Sequence, residues 1–293
     1  METGGTSFSH PAPFIALSAP SSSLRVTCIQ TDAPCAPHGL TALLDDAVTR
    51  RPTDLYLLPE LCTVPYLATA EERRARAETV NGPTASALCR WTASHDAAVL
   101  AGLVERGEHG LHNSVLEVDA GRVRGLYRKR HLTRYEKGLS LPGTENGLFQ
   151  IRGHLVGIMV CFDLWFPKTG RNLLRRGALL FCAPATFGGP QTARLAALRA
   201  LENLTPQALC NRADTEKAGD MEATFRGGST LYAANGSILA QAPEHVRAVT
   251  AAEVILPEQR ANALCDDFLR EMACHYPLQG PSCPALSLQH LPS

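Results

Sequence analysis

The sequence has no excess of charge of either sign: its 293 residues include 28 Lys and Arg against 28 Asp and Glu, a formal net charge of zero. A nucleic-acid-binding protein needs a basic field to attract phosphates, and this composition supplies none. No apolar run reaches the length of a membrane-spanning helix, and no basic amphipathic segment favours a membrane surface. We therefore expect neither a nucleic acid nor a membrane as a partner.

The chain contains ten cysteines, but no two of them form a CxxC pair. Disulfide scaffolds are usually short and secreted, so thiols spread along a chain of this length indicate reduced cysteines in a cytoplasmic protein. Four potential ligands lie near the C-terminus, but their spacing matches no standard zinc pattern: Cys265, Cys274, His275 and Cys283. We interpret them as scattered side chains and expect no bound metal.

Three widespread enzyme signatures are also absent: GxSxG, GxGxxG after a strand, and the P-loop. Apolar runs instead alternate with helical patterns, which is typical of an α/β architecture in which helices cover sheets. No linker or internal repeat marks a boundary. We predict one domain over residues 24–276, preceded by a loose arm (1–23) that is not a signal peptide and followed by an extended tail (277–293).

The pattern of apolar residues places each expected element. Predicted strands cover 24–29, 54–60, 97–104, 114–118, 123–127, 155–160, 178–182, 207–211, 229–234, 238–241 and 246–256. Predicted helices cover 40–48, 69–80, 84–95, 169–176, 193–204 and 257–274.

One cysteine stands at the end of an apolar strand, where residues 155–160 run directly into Cys161. A strand that ends abruptly before a helix presents its last side chain at the sheet edge, as the nucleophile elbow does with serine. A helix N-terminus also favours the thiolate and so lowers the pKa of the thiol. The segment therefore indicates a nucleophile, although a buried structural cysteine is the commoner role for a lone thiol at such a position.

Three charged residues are further candidates. Glu60 closes the apolar run 55–59, where burial would raise its pKa and suit it to general-base work, although a solvated position just past the strand is equally compatible. Arg128 and Lys129 directly follow the predicted strand 123–127. If its alternation continues, their side chains point to opposite faces, and an inward ammonium needs an anion nearby. Glu136 lies in a loop, where a charge is ordinary.

Taken in order, these segments resemble the motifs of the carbon–nitrogen hydrolase (nitrilase) superfamily: a strand ending Pro-Glu, Tyr-Arg-Lys-x-His-Leu, Glu-Lys before Pro-Gly, and Gly-x-x-x-Cys-x-Asp-x-x-Phe-Pro. The chain supplies LLPE at 57–60, YRKRHL at 127–132, EKGLSLPG at 136–143 and GIMVCFDLWFP at 157–167. With shorter matches between and beyond them, the resemblance covers about residues 24–256. It implies an α/β fold, the four-layer α-β-β-α sandwich of the nitrilase type, whose units commonly pack as dimers through their outer helices.

The resemblance also implies a role for each candidate. Cys161 matches the nucleophile, with the Phe162 backbone amide completing the oxyanion site. Glu60 matches the general base, Lys129 the cation that stabilises the tetrahedral intermediate, and Glu136 the glutamate that orients the lysine and the substrate. No metal or organic cofactor is required. Substrate contacts are expected at Tyr66, Phe162, Trp165 and Ala185.

Two details suggest a branch of the family. The Asp two residues after the cysteine resembles amidases and carbamoylases, whereas nitrilases more often carry Cys-Trp-Glu. Enzymes of N-carbamoyl amino acids tend to place arginine just after Cys-x-Asp, where this chain has Leu164 and Trp165, so a neutral or apolar substrate is favoured. We predict a thiol amidohydrolase of an amide or N-carbamoyl amine that forms a homodimer or higher homo-oligomer. The alternatives are a nitrilase and a catalytically idle nitrilase-fold binding module.

Overall fold

The computed structural model describes residues 22–51, 53–257 and 267–275, and in these residues the chain forms fourteen strands and six helices. The strands are β1 (Ser23–Gln30), β2 (Leu55–Leu57), β3 (Ala98–Arg106), β4 (Leu111–Asp119), β5 (Arg122–Arg128), β6 (Gly147–Ile151), β7 (His154–Ile158), β8 (Leu180–Pro184), β9 (Gln207–Cys210), β10 (Thr215–Ala218), β11 (Met221–Thr224), β12 (Thr230–Tyr232), β13 (Ile238–Gln241) and β14 (Ala248–Ile255). The helices are α1 (Pro37–Arg50), α2 (Ala70–Arg76), α3 (Pro83–Ser94), α4 (Pro167–Arg175), α5 (Gln191–Asn203) and α6 (Phe268–His275).

Two six-stranded sheets and a separate β10–β11 hairpin organise these strands. One sheet has the order β14-β1-β2-β3-β4-β5, and the other has the order β13-β12-β9-β8-β7-β6. In each, three central strands run parallel, β1–β2–β3 and β7–β8–β9, while the flanking strands run antiparallel. None of the described helices is long and apolar enough to cross a membrane.

Alternating side chains build two apolar layers on the first sheet. Leu55 and Leu57 point into the core between the sheets, whereas Tyr56 and Leu58 point outward, where they pack with residues of α1 and α3. On the far side of the second sheet, residues of α4 and α5, including Leu173, belong to the same apolar cluster. The layers therefore follow the order helix, sheet, sheet, helix, which confirms the predicted four-layer sandwich.

Several predicted boundaries differ from the structure. Strands β6, β10 and β11 were not expected, because β6 opens with a glycine and the hairpin strands TEKA and MEAT lack an apolar alternation. Helix α2 ends at Arg76, short of the predicted residue 80, because the chain then joins β3 through the Glu78 N–H, which donates to Val104 C=O at 3.0 Å. Residues 1–21 of the predicted arm, the tail 277–293, and Cys265 and Cys283 of the thiol-rich group lie outside the described residues.

One carboxyl group, that of Glu117 on β4, is buried without an ion-pair partner. It pairs with Leu100 of β3 and so points into the inter-sheet core, with its residue only 2% exposed. Gly125 on β5 makes room for it, since a Cβ there would stand 2.7 Å from the Glu117 Oε2. Burial, with a smaller effect of Asp119, raises the pKa of Glu117 to about 7.

Replacing Glu117 with Gln should increase the free energy of unfolding above neutral pH, by at most about 3 kcal/mol. Because the folded-state pKa is raised, this carboxyl contributes its full stability below the unfolded-state pKa, and the contribution is lost as pH rises through about 7. Urea unfolding across this pH range should show wild type losing stability relative to Glu117→Gln. The exposed Glu145→Gln serves as the control; an equal pH dependence in all three proteins would contradict the expectation.

Candidate active site

The first sheet brings three of the site residues to one edge. Strands β2 and β5 both end there, followed by Glu60 and Lys129, and the antiparallel β4 begins there with Asn113 near its start. The Lys129 N–H donates to the Asn113 C=O at 2.8 Å and continues the β4–β5 pairing past the strand end. Arg128, one residue earlier, points away and bonds the buried Glu105, as the alternation predicted.

Lys129 is enclosed between two carboxylates. Its Nζ donates to Glu60 Oε1 and to Glu136 Oε2, each at 2.7 Å, and all three side chains are fully buried. The structure thus excludes the solvated alternative for Glu60 and the ordinary loop charge for Glu136. This buried ammonium requires both carboxylates, because removing any one partner leaves an uncompensated charge.

Asn113 completes this cluster, and the sequence analysis did not identify it. Its Nδ2 donates to Glu60 Oε1 and Glu136 Oε1, both at 2.7 Å, so it links the same two glutamates as the lysine does. The predicted strand began one residue later, at Ser114, so Asn113 lay outside every predicted element. A run of polar residues, His112 to Ser114, at the start of an apolar strand was the available signal.

A short 3-10 turn, Glu136–Gly138, positions the second glutamate. The Thr133 N–H donates to Glu136 Oε2 at 3.0 Å, and the Thr133 hydroxyl bonds the Tyr66 hydroxyl at 2.7 Å. Tyr66 therefore borders the cluster, and burial, then the charges of Glu136 and Glu60, raises its pKa.

The environment of each group in the cluster decides the direction in which its pKa shifts. Burial raises the pKa of Glu60, and Lys129 and Asn113 only partly oppose it. Burial acts in the same direction on Glu136, but there the charge of Lys129 and the hydrogen bonds prevail and lower its pKa. For Lys129, burial favours the neutral amine, yet the two glutamates outweigh it and raise the pKa. The result is a stable Lys129–Glu136 ion pair beside a carboxyl, Glu60, that is adapted to exchange a proton.

Cys161 approaches the cluster from the second sheet. It follows β7 by three residues, opens the 3-10 turn Cys161–Trp165 with a strained φ of 45°, and is 7% exposed. Its thiol donates to the Thr186 C=O at 3.7 Å. Burial and the negative charge of Glu60 raise its pKa well above the usual value, although Lys129 opposes them. The expected lowering of this pKa by a helix N-terminus was wrong, because burial is the largest influence on the thiol.

Thr186 connects the two halves of the site. Its hydroxyl donates to the Glu60 C=O at 3.0 Å, while its own carbonyl accepts from Cys161. The preceding residue, Ala185, was one of the predicted substrate contacts, but its side chain is fully buried in the apolar core. The sequence offered no signal for Thr186 beyond its place at the end of β8.

Asp163 holds the turn that carries the cysteine. Its buried carboxylate accepts from the Tyr127 hydroxyl at 2.8 Å, the Val160 N–H at 2.9 Å and the His131 N–H at 2.9 Å. His131 also bonds it through Nδ1 at 2.8 Å, and its ring stacks on Phe166 with centroids 3.8 Å apart. The Cys-x-Asp motif contained Asp163, but only the structure shows that its carboxylate bonds residues at the ends of both β5 and β7.

The remaining predicted contacts lie at different depths. The Phe162 ring is half-buried beside Trp165, which is 46% exposed, and among the described residues the Phe162 N–H has no acceptor. Leu164 is fully buried, and its carbonyl accepts from Arg199 Nε at 2.9 Å, so it packs in the core and does not face the cluster. Across the described part of the chain, no group of three or more His, Cys, Asp or Glu side chains could hold a metal ion.

Known proteins share this arrangement of sheets and sequence. A protein named nitrilase from Pyrococcus abyssi is 30% identical over 226 residues, which are 75% of this chain and 85% of that protein. An (R)-stereoselective amidase from a Pseudomonas species is 30% identical over 225 residues, 75% of this chain and 79% of that one. The crystal structure of a member of branch 10 of the nitrilase superfamily from Saccharomyces cerevisiae aligns with a TM-score of 0.73 and 20% identity, over 90% of this chain and 98% of the other.

The family model for carbon-nitrogen hydrolases matches residues 29–261, a span that contains all four motif segments and every residue of the cluster. Each of the two relatives matches 75% of this chain, which confirms the resemblance found in the sequence. This chain belongs to the carbon–nitrogen hydrolase (nitrilase) superfamily, whose enzymes act on non-peptide C–N bonds.

Proposed function

We propose that the protein is a thiol amidohydrolase that cleaves the C–N bond of an amide or an N-carbamoyl amine through a thioester on Cys161. The observation that carries the proposal is the burial of Lys129 between Glu60 and Glu136, with the Cys161 thiol close enough for its pKa to respond to all three. A nucleophile, a proton acceptor and a fixed cation are the three groups that acyl transfer requires.

The first step needs a base because the thiol is neutral at rest. Its raised pKa means that the proton leaves only as Sγ attacks the carbonyl carbon, and Glu60 accepts that proton. Glu60 Oε1 is bonded to Lys129 and Asn113, whereas Oε2 is buried with no partner among the described residues. Oε2 is therefore the oxygen available to receive the proton.

Positive charge and a free amide stabilise the resulting tetrahedral oxyanion. Two of the three Lys129 N–H groups bond the glutamates, which leaves the third to donate to the substrate oxygen. The Phe162 N–H, adjacent to the nucleophile, is the second donor. The lowered pKa of Glu136 keeps that group ionised, and the raised pKa of Lys129 keeps it protonated. The cation is therefore present throughout the cycle.

The remaining steps return the groups to their starting state. Protonated Glu60 gives its proton to the leaving nitrogen, the C–N bond breaks, and ammonia or an amine departs from the thioester. Glu60 then accepts a proton from water while the hydroxide oxygen attacks the thioester carbonyl. Collapse of this second intermediate releases the acid and returns the proton to Cys161. No step requires a metal or an organic cofactor.

Substrate choice follows from the groups around the cluster. Tyr66 and Phe162 offer a half-buried aromatic surface, and no arginine follows Cys161-x-Asp163 to bind a carboxylate. These features support a small neutral substrate. A nitrile is the second candidate, because the Pyrococcus relative is named a nitrilase. The idle-module reading has less support, since the base, cation and thiol are all assembled.

An apolar surface on the outer helix layer supports a homodimer. Leu198 and Leu201 on α5 are about half exposed, and so are Ile238 and Leu239 on β13. Gly236, in the turn before β13, packs against Leu201, so the two patches are continuous. We expect sedimentation equilibrium to give twice the chain mass and Leu201→Glu to shift it toward one chain mass. A wild-type monomer would contradict this.

Ammonia release from primary amides, N-carbamoyl amines, N-carbamoyl amino acids and nitriles tests the activity directly. Wild type should turn over neutral amides or carbamoyl amines best. Cys161→Ala should reduce kcat by about a thousandfold or more, because the covalent route is then closed. Cys89→Ala removes a half-buried thiol on α3 and should leave the rate unchanged. Preference for nitriles would select the second candidate, and no turnover of any class would favour the idle module.

Asn113→Ala tests the positioning of Glu60. The hydrogen bond from Asn113 lowers the pKa of Glu60, so its removal should raise that pKa further. The carboxylate would then be lost at a higher pH, and the acid limb of the kcat/KM profile should move upward. We also expect kcat to fall by about tenfold or more at the plateau. The exposed Asn81→Ala is the control; an unmoved acid limb in Asn113→Ala would contradict the assignment of Glu60 as the base.

A further inference from the structure

Two cysteines outside the catalytic cluster are joined by a backbone hydrogen bond. Cys35 is in the connection between β1 and α1, and Cys62 follows β2 by five residues. The Cys35 N–H donates to the Cys62 C=O at 2.8 Å. This bond places the two cysteines on directly adjacent segments of backbone. The Cys35 sulfur is also near enough to raise the pKa of Cys62.

Only one of the two thiols can be reached from solvent. Cys35 is half-buried and lines two surface cavities of about 600 and 490 Å³. Each cavity also contains two arginines: Arg50 and Arg247 in the larger, and Arg76 and Arg106 in the smaller. Cys62 is fully buried, with its thiol donating to the Gly102 C=O at 3.1 Å. Asp46 also lines the larger cavity and Glu78 the smaller, which leaves each with an excess of one positive charge. Burial, then Asp32, raises the pKa of Cys35, so a small anionic reagent reacts first at Cys35 because of its exposure, and does so best at alkaline pH.

Glu60 lies two residues before Cys62, on the same constrained segment of backbone. Leu61 between them has a φ of 48°, and the Cys62 N–H is fixed to the Gly102 C=O at 2.9 Å. The segment lies so close to β3 that a Cβ on Gly102 would stand 2.5 Å from the Pro59 oxygen and 2.8 Å from the Glu60 Cα. Because this short segment lies directly against β3, we expect a movement of Cys62 to move Glu60 as well.

We propose that Cys35 and Cys62 form a disulfide-exchange site, at which a small anionic disulfide such as oxidised glutathione links the two thiols and lowers activity by displacing Glu60. The Cys35 thiolate attacks one sulfur of the reagent, and the first small thiol leaves. Cys62 loses its proton, leaves its Gly102 acceptor and attacks the Cys35 sulfur, and the second small thiol leaves. Two protein thiols are oxidised, one reagent disulfide is reduced, and a thiol reductant reverses the change.

The link itself is tested by mass, which does not depend on any activity. Cys161→Ala protein is treated with oxidised glutathione at mildly alkaline pH and digested with trypsin. A peptide of residues 26–50 joined to residues 51–73 is expected, and it should be absent from Cys161→Ala/Cys35→Ser. The second variant is needed because Cys28 shares the first peptide. A mixed disulfide on Cys35 with no linked peptide would overturn the proposal.

The effect on activity rests on the proposed function and is measured separately on protein with Cys161 intact. Treated wild type should lose about tenfold or more in kcat, recovered with dithiothreitol, because small displacements of a catalytic group have large effects. Treated Cys35→Ser should keep its rate, and Cys89→Ser should behave as wild type. Equal losses in wild type and Cys35→Ser, or a complete link without loss, would overturn the coupling to Glu60. Absence of turnover before treatment would count against the proposed function alone.

Discussion

The site depends on one buried cation. Lys129 has no access to water, so its charge is stable only because Glu60 and Glu136 each accept a hydrogen bond from Nζ at 2.7 Å. One carboxylate balances the ammonium, and the second leaves the cluster with an excess negative charge in a dry environment. That excess is relieved if Glu60 takes a proton, which is why burial raises the pKa of Glu60 while that of Glu136 falls. An imbalance of one charge thus accounts for the raised pKa of Glu60.

The two sheets are what make this cluster possible. The first sheet supplies Glu60, Asn113 and Lys129 from neighbouring strand ends, where the backbone pairing fixes their spacing. The second sheet supplies Cys161 and Thr186, and the Thr186 hydroxyl reaches across to the Glu60 carbonyl. The inter-sheet core holds these edges together, so packing far from the cluster sets the distance between Cys161 and Glu60.

Local patterns predicted an α/β architecture and marked Glu60, Lys129 and Cys161 as candidates, whereas the four-layer sandwich and the choice of Glu136 came only from the family resemblance. Apolar runs mark strands, and Glu60, Lys129 and Cys161 each stand just past the end of one. Sequence reasoning missed Asn113 and Thr186, whose importance lies only in which side chains meet across strands. It expected a helix N-terminus to lower the pKa of the Cys161 thiol, whereas burial raises that pKa. Such errors arise because sequence spacing does not record burial.

Glu60 and Glu117 show why a raised pKa alone does not identify a catalytic group. Both are buried acids on the first sheet, and burial is the main cause of both shifts. Glu117 has only Arg124 to oppose that effect and no nucleophile nearby, so its shift is a cost to stability that varies with pH. Glu60 has Lys129 and Asn113 on one oxygen and leaves the other unpartnered beside a thiol. The same desolvation becomes useful only where a fixed cation holds one oxygen and a proton donor can approach the other.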